Sequence, residues 1–499
     1  MAVFLKSFVA LLRSILLSFL AIYVCPNILL SILRPRLARH NKIRRKAILR
    51  ELGVTSDTKV LVGLFHPDCN AGGGGERVLW TAVACLHRNE PDVICLVYTG
   101  DVDATKADII EKVQSRFSIT LDPSRLHLVY LKSRYLIEDT TWKHFTLIGQ
   151  SLGSIVLAHD ALMSVLPDVF IDTMGYAFTL PLVKLYAKIP VGADVYFILV
   201  IYSTDMLQRV RKRTTSHTNP SLVARSTLLS SGKFIYYLIF ARLYSYCLRR
   251  ADHLMVNSSW TQSHINQLLG LSIGVRTSAY FAKIVYPPCD TGALSSLPFA
   301  TRENMILSVA QFRPEKEHST QLRALKAFIQ QKKIPHTASV KLVMAGSVRN
   351  AGDEKRIAEL RTLAKELGVA DQVDFVINPP FPELLKLFGR ASIGLSTMVD
   401  EHFGINIVEF MAAGLIPLVH ASGGPLLDIV IEQGDLATGF HATTPEDYGR
   451  QLGCILSMSP EEALEMRKRA RVHAVAHFSE AAFDKEWKEA WRLLVAQSK

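Results

Sequence analysis

Short apolar runs alternate along the chain with helical or polar segments. Between residues 59 and 257 these runs read KVLVGLF, VICLVYT, HLVYL, VFIDTMG and HLMVN, each of a length typical of a buried strand. A second alternation begins at residue 305 with MILSVAQF and continues through KLVMAGSVR and VDFVINPPF. The pattern predicts α/β domains of the doubly wound kind, each built on a parallel sheet.

The segment between the two alternations, residues 286–304, is rich in turn residues and lacks periodicity, which is typical of an interdomain linker. We therefore place a first domain at residues 47–290 and a second at residues 300–480. The C-terminal segment, residues 481–499, is predicted to be helical. Together with the residues just before it, it carries the apolar side chains Phe478, Phe483, Trp487 and Trp491 on one side.

Residues 14–33 carry no charge and are just long enough, as a helix, to cross the ~30 Å hydrocarbon core of a bilayer. A dense basic block follows them, whereas only Lys6 and Arg13 precede them. By the positive-inside rule, residues 1–46 are predicted to form a signal anchor and a basic juxtamembrane segment, with the bulk of the chain in the cytosol. A cleaved signal peptide is the alternative, but no small-x-small cleavage site precedes the basic block.

The composition agrees with a protein that meets lipid. Hydrophobic residues make up 49% of the chain and charged residues 20%, and the net charge is +12. The charge would suit nucleic acid, anionic lipid or a phosphorylated substrate, but no nucleic-acid-binding motif is present. The seven cysteines are odd in number and lack CxxC spacing, which indicates a reducing compartment and argues against a zinc site.

Residues 234–246, FIYYLIFARLYSY, form an unusually aromatic helix candidate with Arg249 and Arg250 after it. An aromatic, apolar face flanked by arginines suits a helix that lies in the membrane interface. A packed core helix is the other interpretation of the same pattern.

Two carboxylates, Glu401 and Glu409, flank a predicted strand-to-helix turn. The run SIGLSTM before them indicates a strand, and INIVEFMAAGL indicates a helix, so Phe403 and Gly404 fall on the turn. Free backbone N–H groups and the positive end of the helix dipole would make this turn an anion site that suits a phosphate.

A glycine-rich loop, HPDCNAGGGGER, follows the first predicted strand and opens a helix. It does not fit G-x-G-x-x-G, because Arg77 and Val78 occupy the positions of the last glycine, and it lacks the Gly-Lys-Ser/Thr of a P-loop. Its small residues would let backbone amides approach a ligand closely, with Arg77 near the helix start. A flexible turn is the alternative. The loop residues concerned are Gly72, Gly73, Gly74, Gly75 and Arg77.

The Glu-x7-Glu spacing, together with the Ala-Ser-Gly-Gly-Pro turn after it, resembles the retaining sugar-nucleotide glycosyltransferases of the GT4 family. The resemblance implies the GT-B fold, in which two Rossmann-like domains face a cleft and a C-terminal helix crosses back onto the first domain. It implies that Glu401 is catalytic and approaches the donor sugar, that Glu409 binds the nucleotide ribose, and that the glycine loop faces the cleft. Further donor-binding residues implied by the resemblance are Arg313, Lys316, His402, Phe403, Gly404 and Ile405.

Residues 168–180, DVFIDTMGYAFTL, closely resemble one GT4 subgroup, the dolichol-pathway α-1,2-mannosyltransferases that act on lipid-linked oligosaccharide. This resemblance implies GDP-mannose as donor and a dolichol-diphosphate-linked oligosaccharide, Man(3)GlcNAc(2)-PP-dolichol, as acceptor. It implies addition of the fourth and fifth mannoses at the cytosolic face of the endoplasmic reticulum membrane, where other dolichol-pathway mannosyltransferases are potential partners.

The chain departs from this subgroup at residues 196–207, YFILVIYSTDML, where apolar residues replace an expected His-Tyr-Pro at 198–202. No catalytic histidine can therefore be assigned. Two alternatives to the mannosyltransferase remain: a catalytically impaired homologue that serves as a membrane scaffold for other glycosyltransferases, and a GT-B sugar-nucleotide epimerase.

Asp101-Val102-Asp103 has the form of the metal-binding Asp-x-Asp motif of the other large glycosyltransferase fold, but its surroundings lack the rest of that fold. We expect no metal site and no resident cofactor. Lys316, the Gly404 turn and the glycine loop are instead expected to stabilise the departing diphosphate.

Overall fold

The computed structural model describes residues 25–56, 58–142, 145–195, 210–211, 226–270, 282–299, 302–331, 339–431 and 436–496. The predicted departure at 196–207 and most of the predicted membrane anchor at 14–33 lie outside these ranges. Among the described residues, no helix has both the length and the apolar character that crossing a membrane requires.

Two parallel sheets form the framework. Their strands are β1 Val60–Phe65, β2 Val93–Thr99, β3 Leu126–Tyr130, β4 Val169–Asp172, β5 Val191–Val195, β6 His253–Val256, β7 Lys283–Ile284, β8 Glu303–Val309, β9 Lys341–Gly346, β10 Val373–Ile377, β11 Ala391–Leu395, β12 Ile416–His420 and β13 Phe440–Ala442. The first sheet contains seven strands in the order β3-β2-β1-β4-β5-β6-β7, and the second six strands in the order β10-β9-β8-β11-β12-β13.

Helices cover both faces of each sheet, and buried apolar residues fill the layers between helices and sheet. The α-helices are Cys25–Glu51, Gly74–Asn89, Lys106–Phe117, Thr146–Ser164, Thr179–Tyr186, Thr227–Leu248, Ser259–Leu268, Thr291–Ser295, His318–Gln330, Ala351–Glu366, Phe381–Arg390, Ile405–Ala413, Pro445–Leu456, Pro460–Phe478 and Glu480–Ala496.

Both sheets place their first six strands in the doubly wound order that reverses direction beside the first strand. In the first sheet the reversal lies between β1 and β4, and in the second between β8 and β11. Loops that leave the carboxyl ends of such neighbouring strands diverge and open a crevice, where ligands bind in folds of this kind. The topology therefore indicates that the loop after β1 and the loops after β8 and β11 are the candidate ligand-binding loops.

The C-terminal helix Glu480–Ala496 packs on the first sheet although it follows the second in sequence. Phe483, Trp487 and Trp491 belong to the same buried cluster as Val62 and Leu64 of β1. Phe478, which the sequence placed on the same apolar side, ends the preceding helix and lies in the core of the second half. A new helix starts at Glu480, so the two positions do not share one face.

The N-terminal basic segment is part of the first domain rather than a separate juxtamembrane stretch. This segment lies within the helix Cys25–Glu51. Leu37, Ile48 and Leu49 of that helix are buried in the first domain's core. Arg45 pairs with Asp168 at 2.7 Å. The predicted start of the first domain at residue 47 is therefore wrong, because the domain already includes the helix from Leu37 onward. Apolar residues at helical spacing within the basic block bury one side of this helix.

The aromatic helix candidate lies in the helix Thr227–Leu248 and has two different sides. Tyr237, Phe240 and Tyr244 are buried, so one side is a core helix. On the other side the large apolar side chains are 40–57% exposed, namely those of Leu229, Ile235, Leu238, Ile239, Leu243 and Tyr246. The core-helix interpretation is therefore confirmed for the buried side, and the membrane-interface interpretation of the exposed side stays a prediction.

Candidate active site

Lys316 and Glu401 meet at the strand reversal of the second sheet. Lys316 follows β8 and Glu401 follows β11, and these strands are hydrogen-bonded neighbours. The Lys316 Nζ lies 2.6 Å from the Glu401 Oε1, and the Ser396 hydroxyl lies 3.4 Å from the other carboxylate oxygen. The Glu401 side chain is only 9% exposed. The two side chains form a salt bridge at this distance, so the pair is a fixed ionic element of the cleft.

Arg313 does not join this pair. Its guanidinium contacts Glu315 at 2.8 Å, and its side chain is 43% exposed. The backbone turn of residues 314–316 separates the two basic groups. Of the two predicted diphosphate-binding residues, the structure brings only Lys316 into contact with Glu401.

The turn after Glu401 requires glycine. Gly404 has φ +112°, and a Cβ atom there would lie 2.7 Å from the Ile407 Cδ1. This residue starts the helix Ile405–Ala413, and no side chain caps the helix there. The Ile407 N–H donates to the Gly404 carbonyl at 3.0 Å. The N–H groups before Ile407, together with the positive end of the helix dipole, are therefore what this helix start offers to an anion.

The Gly-Gly turn at 423–424 supports the same loop from behind. A Cβ atom on Gly423 would lie 2.2 Å from the Glu401 carbonyl oxygen, and one on Gly424 would lie 2.4 Å from the His402 carbonyl oxygen. The Gly424 N–H donates to the Glu401 carbonyl at 2.8 Å. Only residues without a side chain allow this approach, which explains why the motif follows the two glutamates.

His402 and Phe403 point toward aromatic neighbours. The His402 ring stacks on Trp260 of the first domain, with centroids 5.1 Å apart. Phe403 is buried and contacts Tyr286 and Phe478 at centroid distances of 5.8 and 5.4 Å. His402 and Phe403 can therefore contact a sugar-nucleotide donor mainly through their backbone groups.

Glu409 lies in the helix behind the turn, in an environment that disfavours its charge. The pKa of its carboxyl is raised to about 7, mainly by burial; Arg77 and Arg116 oppose the shift, and Asp290 adds to it. Arg77 belongs to the glycine-loop helix Gly74–Asn89. Glu409 thus faces the first domain and titrates close to physiological pH.

Arg77 has a role that the sequence did not reveal. Its guanidinium lies 3.4 Å from Asp290 of the linker and 3.4 Å from Glu480 of the C-terminal helix, and over the Phe117 ring. It is buried. Arg77 therefore ties together three distant segments of the chain instead of presenting its charge to a ligand.

The glycine loop comes close to the second domain's turn. A Cβ atom on Gly74 would lie 2.8 Å from the Ile405 Cδ1. The Gly73 N–H donates to the Glu76 carboxylate at 2.7 Å, so a carboxylate already occupies the start of this helix. Gly72 has φ +84°, and a Cβ atom there would lie 3.9 Å from the Lys112 Cε, whereas Gly75 lies within the first turn of the helix.

Asp428 provides another contact between the domains that sequence reasoning missed. Its two carboxylate oxygens accept the Ser259 N–H at 3.1 and 3.0 Å, and the Tyr286 hydroxyl donates to it at 2.8 Å. The carboxylate thereby caps the helix Ser259–Leu268 of the first domain. Only the serines at 258–259 hinted at a helix start, and nothing in the sequence linked them to a residue 169 positions away.

Comparisons with known families cover both domains. The family "ALG11 mannosyltransferase N-terminus" matches residues 59–269, and "Glycosyl transferases group 1" matches residues 294–473.

Curated relatives match most of the chain. Those from Homo sapiens, Neurospora crassa and Caenorhabditis elegans are 45%, 40% and 39% identical to it. The alignments cover 89%, 89% and 85% of this chain and 88%, 82% and 89% of the relatives. All three carry the name GDP-Man:Man(3)GlcNAc(2)-PP-Dol alpha-1,2-mannosyltransferase.

Solved structures share the fold at low identity. Anabaena HepE in complex with UDP and glucose has a TM-score of 0.58 at 16% identity, covering 87% of this chain and 99% of that one. Sucrose-phosphate synthase from Thermosynechococcus elongatus has a TM-score of 0.60 at 16% identity, covering 88% and 100%. The two-domain GT-B fold expected from the sequence is thereby confirmed. The chain is a mannosyltransferase of the GT4 group and belongs to the family of GDP-Man:Man(3)GlcNAc(2)-PP-Dol alpha-1,2-mannosyltransferases.

Proposed function

We propose that this chain transfers mannose from GDP-mannose, in α-1,2 linkage, to Man(3)GlcNAc(2)-PP-dolichol. The reaction would add the fourth and fifth mannoses of the lipid-linked oligosaccharide used for protein N-glycosylation. The names of the relatives support the donor and the acceptor. The observation that carries the proposal is the Lys316–Glu401 pair beside a helix start that no side chain caps.

The second domain would hold the donor diphosphate. The Lys316 ammonium group has three donors, and one of them goes to Glu401. The other two suit oxygens of the β-phosphate, while the helix start at Gly404 offers N–H groups and a positive dipole end. Glu409, farther along the same helix, would accept a hydrogen bond from a ribose hydroxyl.

In the transfer step, the bond between mannose C1 and the β-phosphate oxygen breaks. A new bond forms between C1 and the 2-hydroxyl oxygen of the acceptor mannose, and the proton of that hydroxyl passes to the departing β-phosphate oxygen. Negative charge develops on the departing phosphate, and Lys316 and the helix start would stabilise it without reorganising. Glu401 would hold Lys316 in place and approach the donor sugar. Because these positive groups belong to the chain, we propose that the reaction is independent of metal.

We further propose a single-pass protein of the endoplasmic reticulum membrane with both domains on the cytosolic side. Two features support a close approach to lipid. The basic helix Cys25–Glu51 packs on the first domain, and the helix Thr227–Leu248 of the same domain exposes one apolar side. Arg250 lies over the Tyr246 ring at the end of that side, with 4.9 Å to the centroid.

Deletion of residues 1–33 tests the membrane proposal because it removes the apolar segment and spares the buried part of the first helix. We expect partial release from membranes in carbonate extraction and flotation. Adding Ile239→Asp and Leu243→Asp should release the remainder, since both side chains are exposed. Full release by the deletion alone would show that the helix Thr227–Leu248 makes no contact with lipid.

The activity itself is tested by incubating the membrane-bound protein with labelled GDP-mannose and the Man(3)GlcNAc(2)-PP-dolichol acceptor. We expect a product larger by two hexoses that α-1,2-mannosidase removes, and no product from Glu401→Gln. Binding of GDP-mannose without transfer by the wild type would refute the proposal. That outcome would favour the scaffold, the alternative raised by the replaced His-Tyr-Pro at 198–202.

A further inference from the structure

The Asp-x-Asp motif that the proposed reaction leaves unused lies directly beside the glycine loop. The Asp101 carboxylate accepts the Asn70 N–H at 2.9 Å and the Thr99 hydroxyl at 3.2 Å. Its other oxygen pairs with the Arg134 guanidinium. The Asp101 carboxylate is therefore bound on both sides by this chain's own groups, whereas Asp103 is exposed.

Arg134 gathers three carboxylates at the entrance to the loop. Besides Asp101, it lies 3.6 Å from Asp68 of the loop itself and 3.4 Å from Glu138. Its aliphatic stem lies against Gly100, where a Cβ atom would approach the Arg134 Cβ and Cδ to 2.5 Å. A guanidinium with several donors in a fixed fork can hold this arrangement, which a single ammonium group would hold less rigidly.

Every residue from 67 to 70 is held by a group outside the loop. The Gly100 N–H donates to the Pro67 carbonyl at 2.7 Å, and Arg134 faces Asp68. The Trp80 indole donates to the Cys69 carbonyl at 3.0 Å, and Lys112 donates to the Asn70 carbonyl at 2.6 Å. These contacts favour a held conformation over the flexible-turn interpretation for the first half of the loop.

The fixed half of the loop determines where its glycines lie. Gly74 follows Asn70 by four residues, and a Cβ atom on it would lie 2.8 Å from the Ile405 Cδ1 of the second domain's turn. A shift of Asn70 therefore changes the gap between the glycine loop and the turn that follows Glu401. Small misplacements of reacting groups reduce rates strongly, because transfer needs aligned atoms at contact distance.

We propose that Arg134 and Asp101 are positioning residues that fix the glycine loop and thereby align the acceptor sugar with the donor. This inference rests on the proposed transfer reaction. Neither residue touches the Lys316–Glu401 pair, so Arg134 and Asp101 govern the fit of the acceptor and leave the donor's affinity unchanged. Asp101 serves the reaction as a structural anion rather than as a metal ligand.

The test compares Arg134→Gln, Asp101→Asn and the double variant with Asp103→Asn, the matched control from the same motif. Arg134→Gln leaves Asp68, Asp101 and Glu138 facing one another without a cation, and loses charge-assisted hydrogen bonds. We expect kcat/KM for the acceptor to fall by about 10- to 100-fold. The affinity for GDP-mannose, measured by calorimetry, should stay the same.

Asp101→Asn keeps an oxygen that can accept the Asn70 N–H, so its loss should be smaller. The double variant removes one of the repelling charges and should recover part of the activity that Arg134→Gln loses. Asp103→Asn should behave as the wild type. No recovery in the double variant, or equal losses for Asp103→Asn, would overturn the proposal.

Hydrogen–deuterium exchange of the peptide that covers residues 66–75 provides a readout that needs no substrate. We expect faster exchange in Arg134→Gln than in the wild type, with Asp103→Asn unchanged. Unchanged exchange in Arg134→Gln would contradict the positioning role even if transfer is lost. A wild-type protein that shows no transfer, but whose loop loosens in Arg134→Gln, would refute the proposed reaction and not the role of Arg134 and Asp101 in fixing the loop.

Discussion

Two strand-to-helix junctions with glycine face each other across the cleft, and they differ in what occupies the start of the helix. In the first domain, the Glu76 carboxylate accepts the Gly73 N–H at 2.7 Å. In the second domain, no side chain caps the helix that starts after Gly404, and Lys316 lies beside the Glu401 that precedes the turn. The same backbone arrangement is thus already satisfied on one side and open to an anion on the other.

The surrounding charges reinforce the difference. Burial raises the pKa of Glu76 and of Asp68, and each is raised further by neighbouring carboxylates that include Asp101. A diphosphate at the glycine loop would add negative charge to this group. The comparison teaches that a glycine-rich helix start does not identify a phosphate site by itself, because the side chains around it decide which ligand it accepts.

The largest effect is expected for Lys316→Ala. Loss of a charged donor at the departing phosphate should raise the barrier by roughly 2 to 4 kcal/mol, which lowers kcat by about 30- to 1,000-fold. Arg313→Ala is the matched control, because Arg313 pairs with Glu315 and is 43% exposed. Equal losses in the two variants, measured as initial rates of transfer, would contradict the distinction between them.

Substitution of the two glycines with positive φ should also separate the junctions. Gly404→Ala places a Cβ atom 2.7 Å from Ile407 at φ +112°, whereas at Gly72, with φ +84°, the nearest atom is 3.9 Å away. We expect Gly404→Ala to cost about 1–3 kcal/mol in alignment, roughly a 5- to 160-fold loss of kcat. Gly72→Ala should lose less. A larger loss for Gly72→Ala would place the reacting diphosphate at the first domain.

Glu409 gives the second junction a dependence on pH. Its raised pKa of about 7 means that the carboxyl becomes charged, and a better acceptor for a ribose hydroxyl, as the pH rises through 7. Affinity for GDP-mannose, whose diphosphate has no ionisation in this range, should therefore increase between pH 6 and pH 8 in the wild type. Glu409→Ala should weaken binding by about 1.5 to 3 kcal/mol at pH 8 and remove this dependence. Unchanged calorimetric affinity would exclude the ribose role.

The same shift has an opposite consequence for stability. The pKa of Glu409 is higher in the folded chain than in the unfolded chain, so its protonated form favours folding. The contribution of Glu409 to the free energy of unfolding is fully present below the pKa of a glutamate in the unfolded chain, near 4.3. It is lost as the pH rises through the folded-state pKa of about 7. Over that pH interval, the free energy of unfolding measured by denaturant titration should fall less in Glu409→Gln than in the wild type.

The smallest effect is expected from chelation. Lys316 and the Gly404 helix start supply positive charge that belongs to the chain, so transfer should continue in EDTA at close to its original rate. Asp103→Ala should likewise have little effect, in contrast to Lys316→Ala. Loss of transfer in EDTA with recovery on adding Mn²⁺ would overturn the metal-independent account.

Much of the fold could be predicted because buried parallel strands produce continuous apolar runs. VICLVYT coincides with β2, and KVLVGLF contains β1. Strand β5 was missed, because Gly192 and Asp194 interrupt its apolar run. The end of one helix at Phe478 and the start of the next at Glu480 were also missed, since Ser479 alone separates them and the apolar spacing continues.

The site was predictable only where a local motif carries it. Lys316 and Glu401 were both expected near the donor, and strand order explains why they meet although 85 residues separate them. The capping of Ser259 by Asp428 and the contacts of Arg77 with Asp290 and Glu480 depend on how the two domains pack. The spacing of residues along the sequence does not predict such pairings. Each partner lies in a segment that, taken alone, has the pattern of an ordinary polar surface.

The central claim is that the donor diphosphate binds at the second domain's junction and not at the glycine loop. Calorimetric titration of GDP-mannose into the wild type, Lys316→Ala and Glu76→Gln tests it most directly. The account predicts that Lys316→Ala weakens binding by about 10-fold or more, the scale of a charged hydrogen bond, and that Glu76→Gln leaves it unchanged. Tighter binding in Glu76→Gln, together with unchanged binding in Lys316→Ala, would contradict the account and place the diphosphate at the glycine loop.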